Sequence, residues 1–307
     1  MSHFVDITDL DAEAIGDVMA LAQLPIDRLG RPLEGLGAAL IFEKPSNRTR
    51  HSMEMAVVQL GGHPIYTQGA EVGIDSREPA EDIVRIMAGY HRVIAARVFD
   101  HTVLERMITA LDDTDDAETT SVVNMLSDRS HPLQGLADLL TMSQLLGDLQ
   151  DRTVAWVGDY NNVARSLGEV AAMNGMHLRY GAPVGYGPEQ SELDRFVALG
   201  AASAMSSADP REAVRGAHAV HTDTWVSMGA EAEAAQRRSD FSGYRVDDAL
   251  MHVAAPDAVF MHCLPAYRGL EVTESVIDGP QSAVISQGHN RLHAARGALA
   301  YLLGVRP

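Results

Sequence analysis

The sequence predicts an α/β protein built from two open parallel-sheet domains that are joined by linking helices. Short apolar runs alternate with helical segments about every 30 residues, as in βαβ units. The same rhythm starts a second time at Thr153. The chain has 307 residues, which is more than the roughly 250–300 residues at which one hydrophobic core stops growing. These observations together favour two domains over one.

The first half of the chain is predicted to contain a helix followed by four strand candidates. Polar residues from Thr8 to Glu13 are typical of a helix start, and the amphipathic segment behind them ends near Gln23. Apolar runs bounded by Gly or Pro indicate buried strands. The predicted strands are 38–42, 64–66, 93–98 and 121–124, and the predicted helices are 47–60 and 79–90.

The second half repeats this pattern and ends in a helix. Its predicted strands are 153–158, 177–180, 219–222 and 259–262, and its predicted helices are 162–174 and 290–303. The Ala/Glu/Arg/Ser-rich stretch 228–244 indicates a loop or a weak surface helix. We place the domain boundary near 132–150, in a linking helix. The expected domains are therefore 1–135, with the C-terminal helix 290–307 packing back on it, and 150–289.

Composition excludes several classes of protein. The 42 acidic residues outnumber the 24 Lys and Arg residues and give a net charge of −18, so we expect no binding to a polyphosphate backbone such as nucleic acid. No apolar run approaches the roughly 18 residues of a transmembrane helix, and the N-terminus lacks the basic start and apolar core of a signal peptide. The single cysteine, Cys263, cannot form an intramolecular disulfide. We therefore expect a cytoplasmic protein with no membrane partner.

Ligands of open parallel sheets bind at the carboxyl ends of the strands, so the polar residues there are the candidates for function. The first such stretch is Ser46-Asn47-Arg48-Thr49-Arg50, which follows a strand and opens a helix. The amides of a helix N-terminus favour a phosphate, and an arginine can hold two phosphate oxygens at once. The alternative interpretation is a serine cap followed by surface arginines.

Two further stretches are candidates for contacts with a carbonyl or an amide. The segment 131–134 (His-Pro-Leu-Gln) fits a helix start that turns His131 and Gln134 toward the strand ends, and an ordinary capping histidine is the alternative. In the segment 262–265 (His-Cys-Leu-Pro), the proline predicts an extended backbone at Leu264, which would free carbonyls to face a cleft. A lone cysteine is otherwise more often a buried packing residue.

Two loops of the second half are candidates for binding a small polar ligand. The segment 158–162 (Gly-Asp-Tyr-Asn-Asn) lies where a dinucleotide fingerprint would, but Tyr160 and Val163 occupy glycine positions of GxGxxG, which counts against NAD. Asn162, at the helix start, either binds a ligand or caps the helix. In the segment 223–229 (Asp-Thr-Trp-Val-Ser-Met-Gly), a carboxylate precedes a flexible loop, which suits an ammonium group and a mobile lid, or simply a capped turn.

One pair of histidines has the spacing of metal ligands. His289 and His293 are four residues apart and lie on one face of the predicted last helix. No glutamate follows His289 as in HExxH, and no third ligand is evident in the sequence. We therefore expect no metal site.

Together and in this order, the motifs are specific. The chain resembles the aspartate/ornithine carbamoyltransferase family along nearly its full length. The resemblance rests on the family motifs S-x-R-T-R at 46–50, H-P-x-Q at 131–134 and H-C-L-P at 262–265. The run D-x-W-x-S-M-G at 223–229 is similar to the ornithine-binding signature within that family. The resemblance implies that the first domain binds carbamoyl phosphate and that the second binds ornithine.

The resemblance also implies an activity, an assembly and a set of site residues. The activity is transfer of the carbamoyl group from carbamoyl phosphate to the δ-amine of L-ornithine, giving citrulline and phosphate, with no cofactor, no metal and no covalent enzyme intermediate. The assembly is a homotrimer or a multiple of one, because the family's active sites lie between adjacent carbamoyl-phosphate domains. The implied carbamoyl phosphate-binding residues are Ser46, Asn47, Arg48, Thr49, Arg97, His131, Gln134, Cys263, Leu264 and Arg291. The implied ornithine-binding residues are Asn162, Asp223, Ser227 and Met228, and the implied catalytic residues are Arg48, His131, Asp223 and Cys263.

Other functions stay open at this point. The chain could be a carbamoyltransferase for another amine, or an inactive family member that acts as a binding partner. Retention of Arg48, His131, Cys263 and Arg291 disfavours the inactive protein, since a scaffold needs none of them in a cleft. A dinucleotide-dependent dehydrogenase is disfavoured by the broken glycine fingerprint.

Overall fold

The computed structural model describes residues 3–112, 114, 119–226 and 231–307. The chain separates into two compact units, Met1–Ala137 with Arg291–Pro307, and Asp138–Asn290. Each unit contains one parallel β-sheet with helices, which confirms the predicted α/β class. Each point at which the chain passes between the units lies within a helix.

The first unit contains a four-stranded sheet. In chain order its elements are α1 (Ala12–Gln23), β1 (Gly37–Phe42), α2 (Asn47–Gln59), β2 (His63–Gln68), α3 (Gly69–Val72), α4 (Ala80–Ala88), β3 (His91–Arg97), α5 (Thr102–Asp112), β4 (Ser121–Leu126) and the first part of α6 (Pro132–Leu146). The strands are parallel in the order β2-β1-β3-β4. The chain therefore reverses its direction across the sheet between β1 and β3, which makes this position the topological switch point.

The second unit contains a five-stranded sheet. After the rest of α6, its elements are β5 (Thr153–Val157), α7 (Asn162–Ala172), β6 (His177–Gly181), α8 (Gln190–Ala198), β7 (Ser203–Ser207), α9 (Pro210–Val214), β8 (Ala219–Thr222), α10 (Ala234–Asp240), α11 (Asp248–Met251), β9 (Val259–His262), α12 (Glu274–Ile277) and the start of α13 (Val284–Leu302), as far as Asn290. The order is β7-β6-β5-β8-β9, and all four pairings are parallel. The switch point of this sheet lies between β5 and β8.

The central strands of both sheets are apolar and buried, as expected for parallel sheets covered by helices. In the first unit, Ile41 and Ile94 of the sheet belong to one core with Ile83 of α4 and Leu104 of α5. The C-terminal part of α13 also packs in this unit. A Cβ atom at Gly297 would lie only 2.6 Å from the carbonyl oxygen of Val18 in α1, so glycine allows this close helix contact.

Three parts of the second unit differ from the expectation or extend it. Strand β7 was not predicted because its sequence, Ser-Ala-Met-Ser-Ser, is polar, and an edge strand needs little apolar surface. Helix α13 begins before the predicted start at Asn290, because Val284 is already buried in the core. In the stretch 228–244, α10 forms the expected surface helix, whereas 228–230 lie outside the described residues. Of the helices in the described part of the chain, none is long and apolar enough to cross a membrane.

Candidate active site

The predicted site residues of the first unit follow three of its strands, including β1 and β3, which flank the switch point. Ser46 precedes α2 directly after β1, Arg97 ends β3, and His131 precedes α6 after β4. In a parallel sheet these positions share the carboxyl edge, which is where a ligand binds. The topology therefore gathers residues that lie far apart in the sequence.

Arg291 of α13 connects three of the predicted residues through one guanidinium group. Its Nη1 donates to Gln134 Oε1 at 2.6 Å and contacts His131 Nε2 at 3.3 Å, and its Nη2 donates to Thr49 Oγ1 at 2.9 Å. All four side chains are buried. Since charged hydrogen bonds in a buried place are strong and directional, Arg291 holds these side chains in one arrangement.

His131 is neutral in this arrangement. A guanidinium nitrogen can only donate, so the contact with Arg291 makes Nε2 of His131 the acceptor. Burial, followed by the positive charges of Arg291, Arg97 and Arg48, holds the pKa of His131 well below its usual value of 6.5. The positive charges of three arginines therefore act on one buried histidine. Such a cluster of cations suits an anionic group.

The start of α2 is arranged differently from a simple serine cap. Ser46 lies at the N-cap position, but its hydroxyl makes no capping bond and instead donates to Thr49 Oγ1 at 3.1 Å.

The other polar residues at the start of α2 differ in exposure. Arg48 is half-buried, and Asn47 is exposed on the first turn. Arg50 is exposed and bonds Glu54 at 2.8 Å while its guanidinium lies 3.8 Å from the ring centre of Tyr66. The two arginines of this segment therefore have different surroundings.

In the second unit, Asp223 and Cys263 are in direct contact. Asp223 follows β8, Cys263 follows β9, and these strands are neighbours. The Cys263 thiol donates to Asp223 Oδ1 at 3.2 Å. Asn161, which follows β5, donates from Nδ2 to the other oxygen, Oδ2, at 3.0 Å. The switch point of this sheet therefore carries a carboxylate with two donors on it.

Asn161, and not Asn162, caps α7. Its Oδ1 accepts from the backbone N–H groups of Val163 and Ala164, each at 3.0 Å. Asn162 is the first residue of the helix and is half-buried. The prediction considered only Asn162 for the capping and ligand roles. The signal for Asn161 was its place just before the helix, where asparagine is a preferred cap.

The prediction of an extended backbone at Leu264 is wrong. The backbone of Leu264 has φ +58°, in the left-handed region that residues other than glycine rarely adopt. Its N–H donates to Nδ1 of His262 at 2.9 Å, and Nε2 of His262 lies 3.3 Å from the buried carboxylate of Glu271. The histidine and the glutamate therefore hold this turn, a tertiary effect that the proline rule does not include.

Two predicted ornithine-binding residues, Ser227 and Met228, lie outside the described residues.

The side chains of Asp223, His262 and Cys263 place possible ligand atoms within 4.8 Å of one another, which is close enough for a metal ion. The contacts given above, however, use the thiol proton and both ring nitrogens of His262. These atoms are therefore engaged in hydrogen bonds, Cys263 with Asp223, and His262 with Leu264 and Glu271.

The chain is similar to known proteins over almost its whole length. Residues 2–144 match the family model "Aspartate/ornithine carbamoyltransferase, carbamoyl-P binding domain", and residues 150–302 match "Aspartate/ornithine carbamoyltransferase, Asp/Orn binding domain". It is 44% identical to an ornithine carbamoyltransferase of Thermus thermophilus, with 97% of this chain and 96% of that protein covered. It is 43% identical to one of Acidothermus cellulolyticus, with 98% and 96% covered. The solved ornithine carbamoyltransferase of Pyrococcus furiosus matches with a TM-score of 0.90 and 38% identity, over 99% of this chain and 98% of that one.

Proposed function

The chain belongs to the aspartate/ornithine carbamoyltransferase family, and we propose that it transfers the carbamoyl group of carbamoyl phosphate to the δ-amine of L-ornithine. The products are citrulline and phosphate. The observation that carries this proposal is the contact of Arg291 with Thr49, His131 and Gln134, because two separate motifs of the family, S-x-R-T-R and H-P-x-Q, meet at one guanidinium group. The names of the similar proteins support the same reaction.

We propose that carbamoyl phosphate binds to the residues of the first unit. Arg48, Arg97 and the amides at the start of α2 would hold the phosphate, together with Ser46 and Asn47. Thr49, His131 and Arg48 would donate to the carbonyl oxygen, where negative charge develops during attack. The net charge of −18 does not prevent binding, since three arginines around His131 create a local positive field and salt screens distant charges.

We propose that the second unit binds the amine and the carbamoyl nitrogen. Asp223 would pair with the α-ammonium group of ornithine, helped by Asn162, Ser227 and Met228. The backbone carbonyls of Cys263 and Leu264 would accept from the carbamoyl NH2 group. The neutral δ-amine attacks, the carbonyl carbon forms its bond to that nitrogen, and the bond to the phosphate oxygen breaks. The nitrogen loses one proton, which balances as a proton on the released phosphate. Asp223 and Cys263 would lie near the attacking amine.

A citrulline assay tests this function directly. Purified protein with carbamoyl phosphate and L-ornithine should produce citrulline and phosphate in equal amounts. Production of phosphate with another amine, and none with ornithine, would identify a carbamoyltransferase of different specificity. Binding of carbamoyl phosphate without any turnover would support the inactive family member. No observation in the structure favours either alternative.

The expected assembly is a homotrimer or a multiple of one, and light scattering of the active protein should give at least about 100 kDa from a chain of 33.1 kDa. Half-exposed apolar side chains on α2 and on the edge strand β2, namely Met55, Val58 and Ile65, support an interface on the first unit. A fully active monomer would contradict the shared site of the family.

A cytoplasmic location remains a prediction of the sequence.

The pH dependence of turnover should come from the amine and not from His131. An amine like that of lysine has a pKa near 10, so its neutral fraction rises about tenfold per pH unit between about 6 and 8.5. The pKa of His131 lies well below 6.5, so this side chain stays neutral over the same range. We therefore expect kcat/KM for ornithine to rise with pH in the wild type. In His131→Asn, kcat/KM should be lower at every pH but should rise with the same slope. A profile that loses its slope in the variant would show that His131 is the titrating group.

A further inference from the structure

Gln287 is a buried residue of α13 that no part of the proposed reaction uses. Its side chain belongs to the second unit and contacts three other elements of that unit. Its Oε1 accepts from the backbone N–H of His262 at 2.9 Å. Its Nε2 donates to Asp138 Oδ1 of α6 at 2.7 Å and to His221 Nε2 of β8 at 3.1 Å. All four residues are less than 2% exposed.

These contacts fix the orientation of the amide and the protonation of the histidine. Only the oxygen of Gln287 can face the N–H of His262, so its NH2 group must face Asp138 and His221. His221 Nε2 is then an acceptor, and its Nδ1 carries the proton and donates to the carbonyl of Thr222 at 3.1 Å. The His221 ring also stacks on Trp156, with 4.8 Å between ring centres. The oxygen and both amide protons of Gln287 therefore have partners.

The contacts lie immediately before the two proposed catalytic residues of this unit. His221 precedes Asp223 by two residues at the end of β8, and His262 precedes Cys263 at the end of β9. One amide therefore links both strand ends to α6. A shift of either strand end would break a buried hydrogen bond of Gln287, which is costly because the group left behind is unsatisfied.

We propose that Gln287 is a positioning residue, which holds the ends of β8 and β9 so that Asp223 and the Cys263 thiol stay in contact. The consequence for turnover rests on the proposed function of that pair. The consequence for the contact itself does not, and the two can be measured separately. The residue acts through Asp138, His221 and the His262 backbone and does not itself touch a substrate.

The single cysteine of the chain makes the contact measurable without any substrate. A thiol that donates to a carboxylate is kept protonated, whereas the thiolate is the form that reacts with iodoacetamide. Gln287→Met is similar in size to wild type but makes none of these hydrogen bonds. We expect iodoacetamide to label Cys263 at least about threefold faster in this variant than in wild type at pH 7. Asp223→Asn is the reference for a lost carboxylate. Thr141→Val is the matched control, because Thr141 accepts from Asn290 and so also joins α6 to α13, three residues along each helix from Asp138 and Gln287.

Kinetics give the second measurement. In Gln287→Met, kcat/KM for ornithine should fall by about 10- to 100-fold, since a misplacement of about 1 Å can cost this much. The affinity for inorganic phosphate should stay within about twofold, because the arginines proposed to bind it belong to the first unit. Thr141→Val should behave like wild type in both labelling and kinetics. Faster labelling with normal kinetics would support the positioning of the pair and refute its proposed role in the reaction.

Gln287→Glu covers the case in which the methionine variant does not fold. The new carboxyl group keeps an acceptor for His262 but needs an extra proton to remain beside Asp138 and His221, the two titratable groups that contact this position. The ratio of the Cys263 labelling rate in Gln287→Glu to the rate in wild type should therefore be closer to one at pH 6 than at pH 8, because the extra proton is more readily bound at the lower pH. Wild-type labelling and wild-type kinetics in whichever variant folds, at both pH values, would overturn the proposal.

Discussion

Arg48→Ala should weaken the binding of carbamoyl phosphate by at least about 100-fold. Arg48 is half-buried at the start of α2, and its charge acts on the buried His131 together with those of Arg97 and Arg291. Each charge-assisted hydrogen bond to phosphate is worth about 1.5–3 kcal/mol, so the loss of a bidentate arginine removes about 3 kcal/mol or more, and each 1.4 kcal/mol is a factor of ten in affinity. Calorimetric titration with carbamoyl phosphate measures the loss.

Arg50→Ala is the matched control for this experiment. Arg50 belongs to the same motif and the same helix, but it is exposed and bonds Glu54 and the face of Tyr66. Exposed pairs of this kind contribute little to stability. The control should therefore bind carbamoyl phosphate within about twofold of wild type. Equal losses in both variants, or unchanged affinity in Arg48→Ala, would remove the assignment of this segment to the phosphate.

The sheets could be predicted because parallel strands have a strong local signal, and the same signal selected the segments of the candidate site. Strand β1 and strand β4 are continuous apolar or buried runs, and each predicted motif follows such a run. The rule that ligands bind at the carboxyl ends of strands then selected the segments at 46–50 and 223–229 from the sequence alone. What the periodicity could not give was the strand order, and therefore the switch points between β1 and β3 and between β5 and β8.

The parts that the sequence did not predict depend on contacts between distant residues. The left-handed turn at Leu264 is held by His262 and Glu271, and the proline rule considers only the neighbouring residue. The hydrogen bond of Asn161 to Asp223 joins residues that are 62 positions apart. Gln287 gives no sequence signal, because a glutamine in an amphipathic helix is ordinary until its partners are known. Positioning residues of this kind need the fold before they can be recognised.

Asp223→Asn should reduce kcat/KM for ornithine by at least about 100-fold while leaving the affinity for carbamoyl phosphate within about twofold. Asp223 is mostly buried at the switch point of the second unit, where Asn161 and Cys263 each donate to one of its oxygens. The carboxamide has nearly the same shape but no charge to pair with an ammonium group, and a charged hydrogen bond in a buried place is lost. Asp278→Asn, at an exposed carboxylate that pairs with Arg268 in the same unit, should keep wild-type kinetics.

The same site should distinguish ornithine from other amines. Putrescine lacks the α-carboxylate of ornithine, so groups arranged to bind that charge would remain unpaired, whereas a change of length alone, as in lysine, is worth about 1–3 kcal/mol. Acetylation of the α-nitrogen removes the positive charge that Asp223 would pair with, and adds bulk. We expect kcat/KM for ornithine to exceed the values for putrescine, lysine and acetylornithine by at least about 100-fold, a ratio that shrinks for acetylornithine in Asp223→Asn because the charge preference is gone. Comparable rates with putrescine would refute the assignment of ornithine as the substrate, and wild-type activity in Asp223→Asn would refute the pairing of Asp223 with the amino-acid head. Either outcome would leave the proposed carbamoyl transfer and the carbamoyl phosphate site of the first unit unaffected.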